Sequence, residues 1–488
     1  MCADSLPSRP ISLTERFNLA RRNVDQPAIL TFAAAYPSPT DAPSKAFLAR
    51  RIADLQEHFP QLYARYQGRR TPQPTQVLRA KPWSSERVLG EAVHEHLAEG
   101  DDKEMAVLLS AEGQRMSKED FDNDPIWQVR VYSTPSSSRV YITLSGDHAL
   151  MDGRGTANLF DALLAKDISQ LPYERLETTP RDQDVLPLKP SLLQALPIVW
   201  QEIILPLLPS FLARYFIQPK SWPAHLIAES PLTAPSAYSL FSLSSKEVSA
   251  IKTISRTHGV STLSPVFKCI YALAIWSKYH YTLSPFRLSA TTARSERKSS
   301  LGCSYAFSNY VSSHMVDINF ESNASFWSVA RNVSHELSTD RSLSDARLRI
   351  GMLSYIPSGP YVSPSGEPDP LRPTQYEDFF LRSVSSPTPV SAALAFSNLG
   401  LVKLPPGASD LAWAETASSI GSSVFGAAVV GHEGGVRIGT TWKDGTVVRR
   451  DEVEDVERIF RVILERLVDG KESVEELVNA SGLKQSRG

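Results

Sequence analysis

A proline-rich apolar stretch limits the architecture of this chain more than any other feature. Between residues 181 and 235, prolines repeatedly interrupt a run of large apolar side chains, among them Pro187, Pro190, Pro197, Pro206, Pro209, Pro219 and Pro223. Proline removes a backbone donor and clashes with the preceding helical turn, so the stretch predicts a linker with short helices. The chain of 488 residues is therefore expected to divide into two parts, residues 1–180 and 236–488, each with its own core.

Both parts mix the apolar periods of strands and helices, which predicts an α/β (α+β) fold. Strands are predicted at residues 28–36, 127–131, 140–144, 238–243 and 392–402, around Leu288 and Val311, and as a hairpin at 426–442. Helices are predicted at residues 48–59, after Gly153, at 263–279 and at 453–467. Residues 357–373 are rich in Pro, Ser and Gly and predict a long surface loop.

Composition excludes several classes of function. The formal net charge is −2, with 51 Lys and Arg against 53 Asp and Glu, so no nucleic-acid partner is expected. Three cysteines, Cys2, Cys269 and Cys303, form neither a disulfide framework nor a metal site, which favours a reducing compartment and predicts no metal. Charged residues near the N-terminus argue against a signal peptide, so a cytoplasmic protein acting on small molecules is expected.

One short motif can carry chemistry. His148 is followed four residues later by Asp152 and then by Gly153, between an alternating strand and an amphipathic helix. A neutral imidazole can take a proton from a hydroxyl or amine while that atom attacks an acyl carbonyl. Asp152 can hold the loop through hydrogen bonds or an ion pair, and Gly153 is expected to permit a backbone conformation that other residues resist. The aliphatic residues that flank the motif can exclude water from the surroundings of the imidazole.

The alternative is that His148 is a structural residue at a strand end, because short motifs also arise by chance. The strand–turn–helix context favours the catalytic interpretation, since function concentrates in loops held by a rigid scaffold.

These residues resemble a known superfamily. His148-Ala-Leu-Met-Asp152-Gly153 is similar to the HxxxD(G) motif of the chloramphenicol-acetyltransferase-like proteins, which include peptide-synthetase condensation domains, plant BAHD acyltransferases and alcohol O-acetyltransferases. The resemblance covers most of the chain: Pro125–Val131 corresponds to the strand before the motif and Phe59–Leu62 to an "hP-x-L" helix end. Phe396-Ser-Asn-Leu-Gly400 resembles the SNxG segment of alcohol acetyltransferases.

Two departures narrow the resemblance. Condensation domains usually carry two successive histidines, whereas Asp147 precedes His148 here. BAHD enzymes carry a DFGWG segment, which this sequence lacks, and Ser397–Gly400 occupies the comparable region. The sequence is therefore most similar to the alcohol O-acetyltransferase branch, including fungal trichothecene-type acetyltransferases.

The resemblance implies two subdomains, each a mixed sheet flanked by helices, with a channel between them and His148 at its centre. It implies an O-acetyltransferase of secondary metabolism that uses acetyl-CoA as the donor and a hydrophobic alcohol as the acceptor. The enzyme is expected to be a monomer without a tightly bound cofactor. Asp152 would be structural and pair with an arginine of the second part, for which Arg294 is the first candidate and Arg297 the alternative. An exposed Arg294 in a polar loop is equally compatible with the sequence. Asn398 would orient the substrate or support the oxyanion, or else cap a turn.

Other functions remain open from the sequence. A condensation-like N-acyltransferase, a cyclase and a catalytically decayed binding protein are all compatible with the same fold. A serine hydrolase is a weaker alternative, because Gly302-Cys-Ser304-Tyr-Ala306 lacks the final glycine of a nucleophile elbow.

The linker raises the question of a membrane. Residues 192–217 are strongly apolar, but Pro197, Pro206 and Pro209 interrupt them and Gln201, Glu202 and Arg214 are polar, which makes a poor transmembrane span. Burial between the two parts is the favoured interpretation. Peripheral contact with a membrane, or a lid over an apolar acceptor site, is the alternative.

Overall fold

The fold is described from a computed structural model. It describes residues 8–94, 100–134, 138–167, 180–189, 230–282, 286–297, 307–363, 366–385, 389–421 and 423–479, with isolated residues between 169 and 223. Most of the proline-rich segment, including most of the apolar residues 192–217, therefore lies outside the described residues.

Strands and helices alternate along both parts of the chain. The strands are β1 Ser8–Pro10, β2 Ile29–Tyr36, β3 Ala64–Gln67, β4 Thr75–Leu78, β5 Leu89–Val93, β6 Trp127–Thr134, β7 Arg139–Asp147, β8 Ser236–Ser244, β9 Leu288–Ser295, β10 Val311–Ile318, β11 Ala392–Leu401, β12 Asp410–Glu415, β13 Ser423–His432 and β14 Gly435–Lys443. The helices are α1 Leu13–Asn23, α2 Lys45–His58, α3 Ser85–Val88, α4 Asp101–Ser117, α5 Gly153–Leu164, α6 Asp182–Val185, α7 Ser245–Thr257, α8 Leu263–Tyr279, α9 Phe326–Ser338, α10 Asp340–Gly351, α11 Gln375–Val384, α12 Arg450–Val468 and α13 Val474–Asn479.

The first large sheet has the order β12-β2-β7-β6-β5. Strand β2 is buried along its whole length, and it pairs with β7 in an antiparallel register that sets Ile29 opposite Asp147. Helices α2 and α5 contribute to the core on one side of this sheet, and α4 packs on the other. This arrangement places the end of β7, and with it the HxxxDG motif, against a rigid buried scaffold.

The second large sheet has the order β10-β9-β11-β13-β14-β8. It is mixed, because β11 runs parallel to both β9 and β13 while the other pairs are antiparallel. Helix α8 packs beneath this sheet against α12 and α9 in a continuous apolar core. The predicted α/β fold, with two sheet-and-helix subdomains, is thus confirmed.

The two parts of the chain are joined by more than the linker. Strand β12 lies late in the sequence, yet it pairs with β2 at the edge of the first sheet, with Asp410 opposite Ala35. Helix α4 of the first part also packs against β8 of the second, where Ser242 Oγ donates to Asp102 at 2.7 Å. The predicted second part, residues 236–488, therefore includes a strand, β12, that belongs to the sheet of the first part.

A lysine is buried in the core of the second sheet. Lys268 on α8 is fully inaccessible, and its Nζ donates to the Thr292 hydroxyl at 2.7 Å and to the Ala290 carbonyl at 3.3 Å. Burial lowers the pKa of Lys268 from 10.5 to about 7, because the charged form has lost its hydration. The unfolded chain therefore binds one more proton than the folded chain between about pH 7 and 10.5, so stability rises with pH in that window.

We expect Lys268→Met to stabilise the protein more at pH 6 than at pH 10, because the desolvation cost of the ammonium is fully present only below pH 7. The pKa shift corresponds to a difference of about 3–5 kcal/mol in the free energy of unfolding between the two pH values. Chemical unfolding at both pH values measures this difference, and Lys252→Met, at an exposed lysine, is the control. If Lys268→Met changed the free energy of unfolding equally at both pH values, Lys268 would not have the lowered pKa that its burial predicts.

Candidate functional site

The HxxxDG motif forms the turn between β7 and α5. The backbone N–H of His148 donates to the Ala28 carbonyl at 2.9 Å, which continues the β-sheet bonding by one residue. Asp147 is buried, accepts two hydrogen bonds from Arg22 at 2.6 and 2.9 Å, and accepts the Ala149 N–H at 2.8 Å. The residue that replaces the first histidine of condensation domains therefore holds the base of the turn.

The imidazole of His148 is held by an asparagine of the second part of the chain. Asn309 is buried, and its amide nitrogen donates to the carbonyls of His148 and Ala149 at 2.8 and 3.1 Å. These two bonds fix which end of the amide faces the ring, so the oxygen of Asn309 lies 3.1 Å from His148 Nδ1. An oxygen at this position favours the tautomer with hydrogen on Nδ1, which leaves the lone pair on Nε2.

A second asparagine approaches the same ring nitrogen. The amide nitrogen of Asn18 on α1 lies 3.4 Å from His148 Nδ1, and it also donates to the Thr14 carbonyl at 3.0 Å. Arg21 donates to the oxygen of Asn18 at 3.2 Å and so fixes this amide as well. The amide nitrogen of Asn18 can only donate, so it would bond to Nδ1 only in the other tautomer; the shorter contact, at 3.1 Å with the oxygen of Asn309, decides the tautomer.

Asp152 connects three parts of the fold. It is the N-cap of α5, where its Oδ1 accepts the Gly155 N–H at 2.7 Å. Its Oδ2 accepts from Arg297 Nη1 and from the Tyr310 N–H, both at 2.8 Å. The side chains of Asp152 and Arg297 are 3% and 4% exposed. The carboxylate therefore ties the turn that carries His148 to the segment that carries Asn309.

The prediction that Arg294 pairs with Asp152 is wrong, and the alternative, Arg297, forms the ion pair. Arg294 donates instead to the Leu337 carbonyl at 2.8 Å and to Ser342 Oγ at 3.0 Å. It lies within β9, where alternation directs its guanidinium towards α9 and α10, whereas Arg297 lies beyond the end of the strand.

The expectation for Gly153 is also wrong. Gly153 is the first residue of α5 and has no positive φ, so its backbone is open to other residues. The glycine required by close approach is Gly155, because a Cβ there would lie 2.1 Å from the Phe307 carbonyl oxygen. Gly155 thus permits α5 to contact the segment that supplies Asn309.

A pocket with a cavity volume of about 90 Å³, open to solvent, lies between the two large sheets beside this turn. It is lined by Leu30, His148, Asp152, Gly153, Arg154, Ala293, Arg294, Ser295, Arg297, Val311, Ser397, Asn398, Leu399, Trp413 and Glu415. Asn398 lines the pocket, and its Oδ1 accepts the Gly400 N–H at 2.7 Å where the register of β11 shifts, between Asn398 and Leu401. The amide nitrogen of Asn398 is therefore the end that can donate into the pocket.

Asn309, Asn18 and Arg154 were missed in the sequence. Asn309 lies in an unpatterned segment just before β10, and only its neighbourhood to the predicted strand at Val311 could have drawn attention to it. Asn18 is a polar residue on the buried side of an amphipathic helix, which is a detectable signal. Arg154 directly follows the motif glycine and was overlooked because the motif was taken to end there.

The alternative nucleophiles gain little support. Ser304 and Cys303 lie outside the described residues. Cys269 is buried in α8, and burial raises the pKa of its thiol to about 12, which keeps it protonated. Within the described ranges, no serine or cysteine side chain hydrogen-bonds to His148. These ranges also contain no group of three or more potential metal ligands, and none of their helices is long and apolar enough to cross a membrane.

Comparison with known proteins shows the fold. No family model and no curated protein matches the sequence. The cyclization–docking bidomain of EpoB from Sorangium cellulosum is similar, with a TM-score of 0.62 at 15% identity over 96% of this chain and 87% of that one. The trichothecene 15-O-acetyltransferase TRI3 from Fusarium sporotrichioides gives 0.61 at 12% identity, over 97% and 95%. The first condensation domain of the CDA synthetase gives 0.60 at 11% identity, over 97% and 99%. The chain thus has the fold shared by condensation-type domains and this acetyltransferase.

Proposed function

We propose that this chain is a CoA-dependent acyltransferase that acetylates a hydroxyl group of a hydrophobic secondary metabolite, with His148 as the general base. The observation that carries the proposal is the orientation of the imidazole. Asn309, itself fixed by two backbone carbonyls, engages Nδ1 of His148 at 3.1 Å and leaves the Nε2 lone pair for a substrate proton.

The reaction needs no resident cofactor. The acceptor hydroxyl attacks the thioester carbonyl of acetyl-CoA while its proton passes to Nε2 of His148. The tetrahedral intermediate collapses, the C–S bond breaks, and the imidazolium returns the proton to the CoA thiolate. The products are the acetyl ester and free CoA. During the reaction the positive imidazolium strengthens its Nδ1 hydrogen bond to the Asn309 oxygen.

The oxyanion of the intermediate needs a donor. Asn398 lines the pocket, and its oxygen is occupied by the Gly400 N–H, which leaves the amide nitrogen to donate. We assign the support of the oxyanion to this nitrogen. Asp152 and Arg297 act differently, since both are buried in their own ion pair and hold the turn that carries His148.

The similarity to TRI3, a trichothecene 15-O-acetyltransferase, supports a hydroxyl acceptor, and the similarity to condensation domains keeps an amine acceptor as the second candidate. Asp147, in place of a first histidine, is bound by Arg22 and does not line the pocket, which favours the acetyltransferase.

We expect a ternary-complex mechanism, because His148 can activate the acceptor directly and proximity of the two bound substrates supplies much of the acceleration. Initial rates should be measured with acetyl-CoA and alcohols from a panel of terpenoid, polyketide and fatty alcohols, with matched amines. Intersecting lines are expected when donor and acceptor are varied together.

Parallel lines, with a mass increase of one acetyl group on the protein in the absence of acceptor, would contradict this mechanism and indicate a covalent intermediate. Transfer confined to the amines would replace the O-acetylation proposal with the condensation-like one.

A further inference from the structure

Arg154 is a cation in the pocket without an acidic partner. It is the second residue of α5, is half-buried, and lines the same pocket as His148. Its guanidinium donates to the Leu399 carbonyl. Among the described residues, no carboxylate lies within ion-pair distance of Arg154, whereas Arg297 in the same pocket is paired with Asp152.

The surroundings of Arg154 disfavour a positive charge. The N-terminal end of a helix carries partial positive charge, and the carboxylate at the start of α5, that of the N-cap Asp152, is already paired with Arg297. Burial and the nearby Arg297 lower the pKa of Arg154, an effect that Asp152 only partly opposes. A cation held at such a place is stabilised when an anion occupies the pocket.

Arg341 shows the ordinary arrangement at the same helical position. It is the second residue of α10, a helix of 12 residues like α5. Its side chain is 88% exposed, it lies 3.8 Å from Asp345, and Asp340 precedes it in the first turn. Solvent and two carboxylates thus compensate Arg341, whereas Arg154 is half-buried and has no carboxylate within ion-pair distance among the described residues.

We propose that Arg154 binds a carboxylate group on the acceptor, so that the substrate class is a hydrophobic hydroxy acid. This inference rests on the proposed acyl transfer at His148. The pocket walls combine the apolar side chains of Leu30, Leu399 and Trp413 with the guanidinium of Arg154. The other charged side chains of the lining have partners of their own: Arg297 pairs with Asp152, Arg294 hydrogen-bonds to Leu337 and Ser342, and Glu415 lies 3.8 Å from Arg21. Such a lining fits an apolar skeleton that carries a single negative charge. Arginine binds carboxylates through parallel hydrogen bonds, and Arg154 has further donors besides the one to Leu399.

The phosphates of CoA offer the same charge but fit the position less well. The whole pantetheine arm separates them from the thioester carbonyl, whereas Arg154 lies on the pocket that holds His148. A carboxylate on the acceptor, in contrast, can lie in the same pocket as the hydroxyl group that reacts at His148.

Binding and transfer are tested in parallel. Decanoate and methyl decanoate should be titrated calorimetrically into the wild type, Arg154→Gln, Arg154→Lys and the matched control Arg341→Gln. The acid should bind the wild type about 10- to 100-fold more tightly than the ester, the range of a charge-assisted hydrogen bond. Arg154→Gln should abolish the preference, Arg154→Lys should keep part of it, and Arg341→Gln should leave it unchanged.

The transfer arm uses acetyl-CoA with lithocholic acid, ricinoleic acid and ω-hydroxylauric acid, each beside its methyl ester. A preference for the acids over the esters in kcat/KM that disappears in Arg154→Gln and persists in Arg341→Gln supports the proposal. Equal use of acids and esters by the wild type, or a preference that survives in Arg154→Gln, would overturn it.

Two further outcomes separate this inference from the proposed function. Acid-selective binding that depends on Arg154, without acetyl transfer to any probe, would support the anion site and contradict the acetyltransferase. If Arg154→Gln weakens the binding of CoA but not that of pantetheine, and leaves the acid preference intact, the guanidinium serves the CoA phosphates and the acceptor assignment fails.

Discussion

His148→Ala should fold like the wild type and lose about two to four orders of magnitude in turnover, the usual range for removal of a general base. The side chain is half-buried at the pocket, and among the described residues its ring hydrogen-bonds through Nδ1 to the oxygen of Asn309. Its removal leaves the backbone bonds of Asn309 to His148 and Ala149 in place. The turn should therefore keep its shape, and the loss should fall on catalysis.

The measurement is kcat at saturating acetyl-CoA with an acceptor identified by the panel, together with thermal melting. His335→Ala is the matched control, because His335 is exposed on α9 and does not line the pocket. A His148→Ala protein that melts normally and turns over near the wild-type rate would remove His148 from the mechanism.

The motif and its scaffold could be predicted because their signals are local. Alternation along β7, the turn at His148 and the apolar stripe of α5 are all contained in one short stretch, and the predicted helix at 263–279 has the observed bounds of α8. In each of these elements, neighbouring residues alone decide which side chains are buried.

Helix α4 was missed because charged residues interrupt its buried face. Glu104 and Glu112 are inaccessible although both are acidic. Glu112 is compensated by Arg115, on the same helix, and by Tyr132 and Ser145, which lie far from it in sequence. The apolar period is therefore weak, and the partners that permit the burial cannot be read locally.

Contacts between segments distant in the sequence could not be predicted from local patterns either. Nothing in residues 410–415 indicates that β12 joins β2 rather than the sheet of its own neighbours. The choice between Arg294 and Arg297 depended on where β9 ends, and strand ends are poorly marked by sequence. Asn309 reaches His148 only because Gly155 permits the close approach at Phe307.

Asp152→Asn should be the most destabilising of the substitutions considered, at about 3–5 kcal/mol, because it leaves the charge of Arg297 buried without a partner. An amide cannot replace the carboxylate here. All three partners of Asp152, namely Gly155 N–H, Arg297 and Tyr310 N–H, are donors, so the amide nitrogen must face at least one of them.

Activity should fall together with stability, since the same carboxylate joins the turn of His148 to the segment of Asn309. Urea unfolding and kcat should be measured for Asp152→Asn, Arg297→Met and the double variant, with Asp161→Asn, at an exposed position of α5, as control. The double variant should be less destabilised than the sum of the two single variants, because it removes both charges of the pair. An Asp152→Asn protein that unfolds like the wild type but is inactive would instead make Asp152 a participant in the chemistry, since its loss would then act on the reacting groups alone.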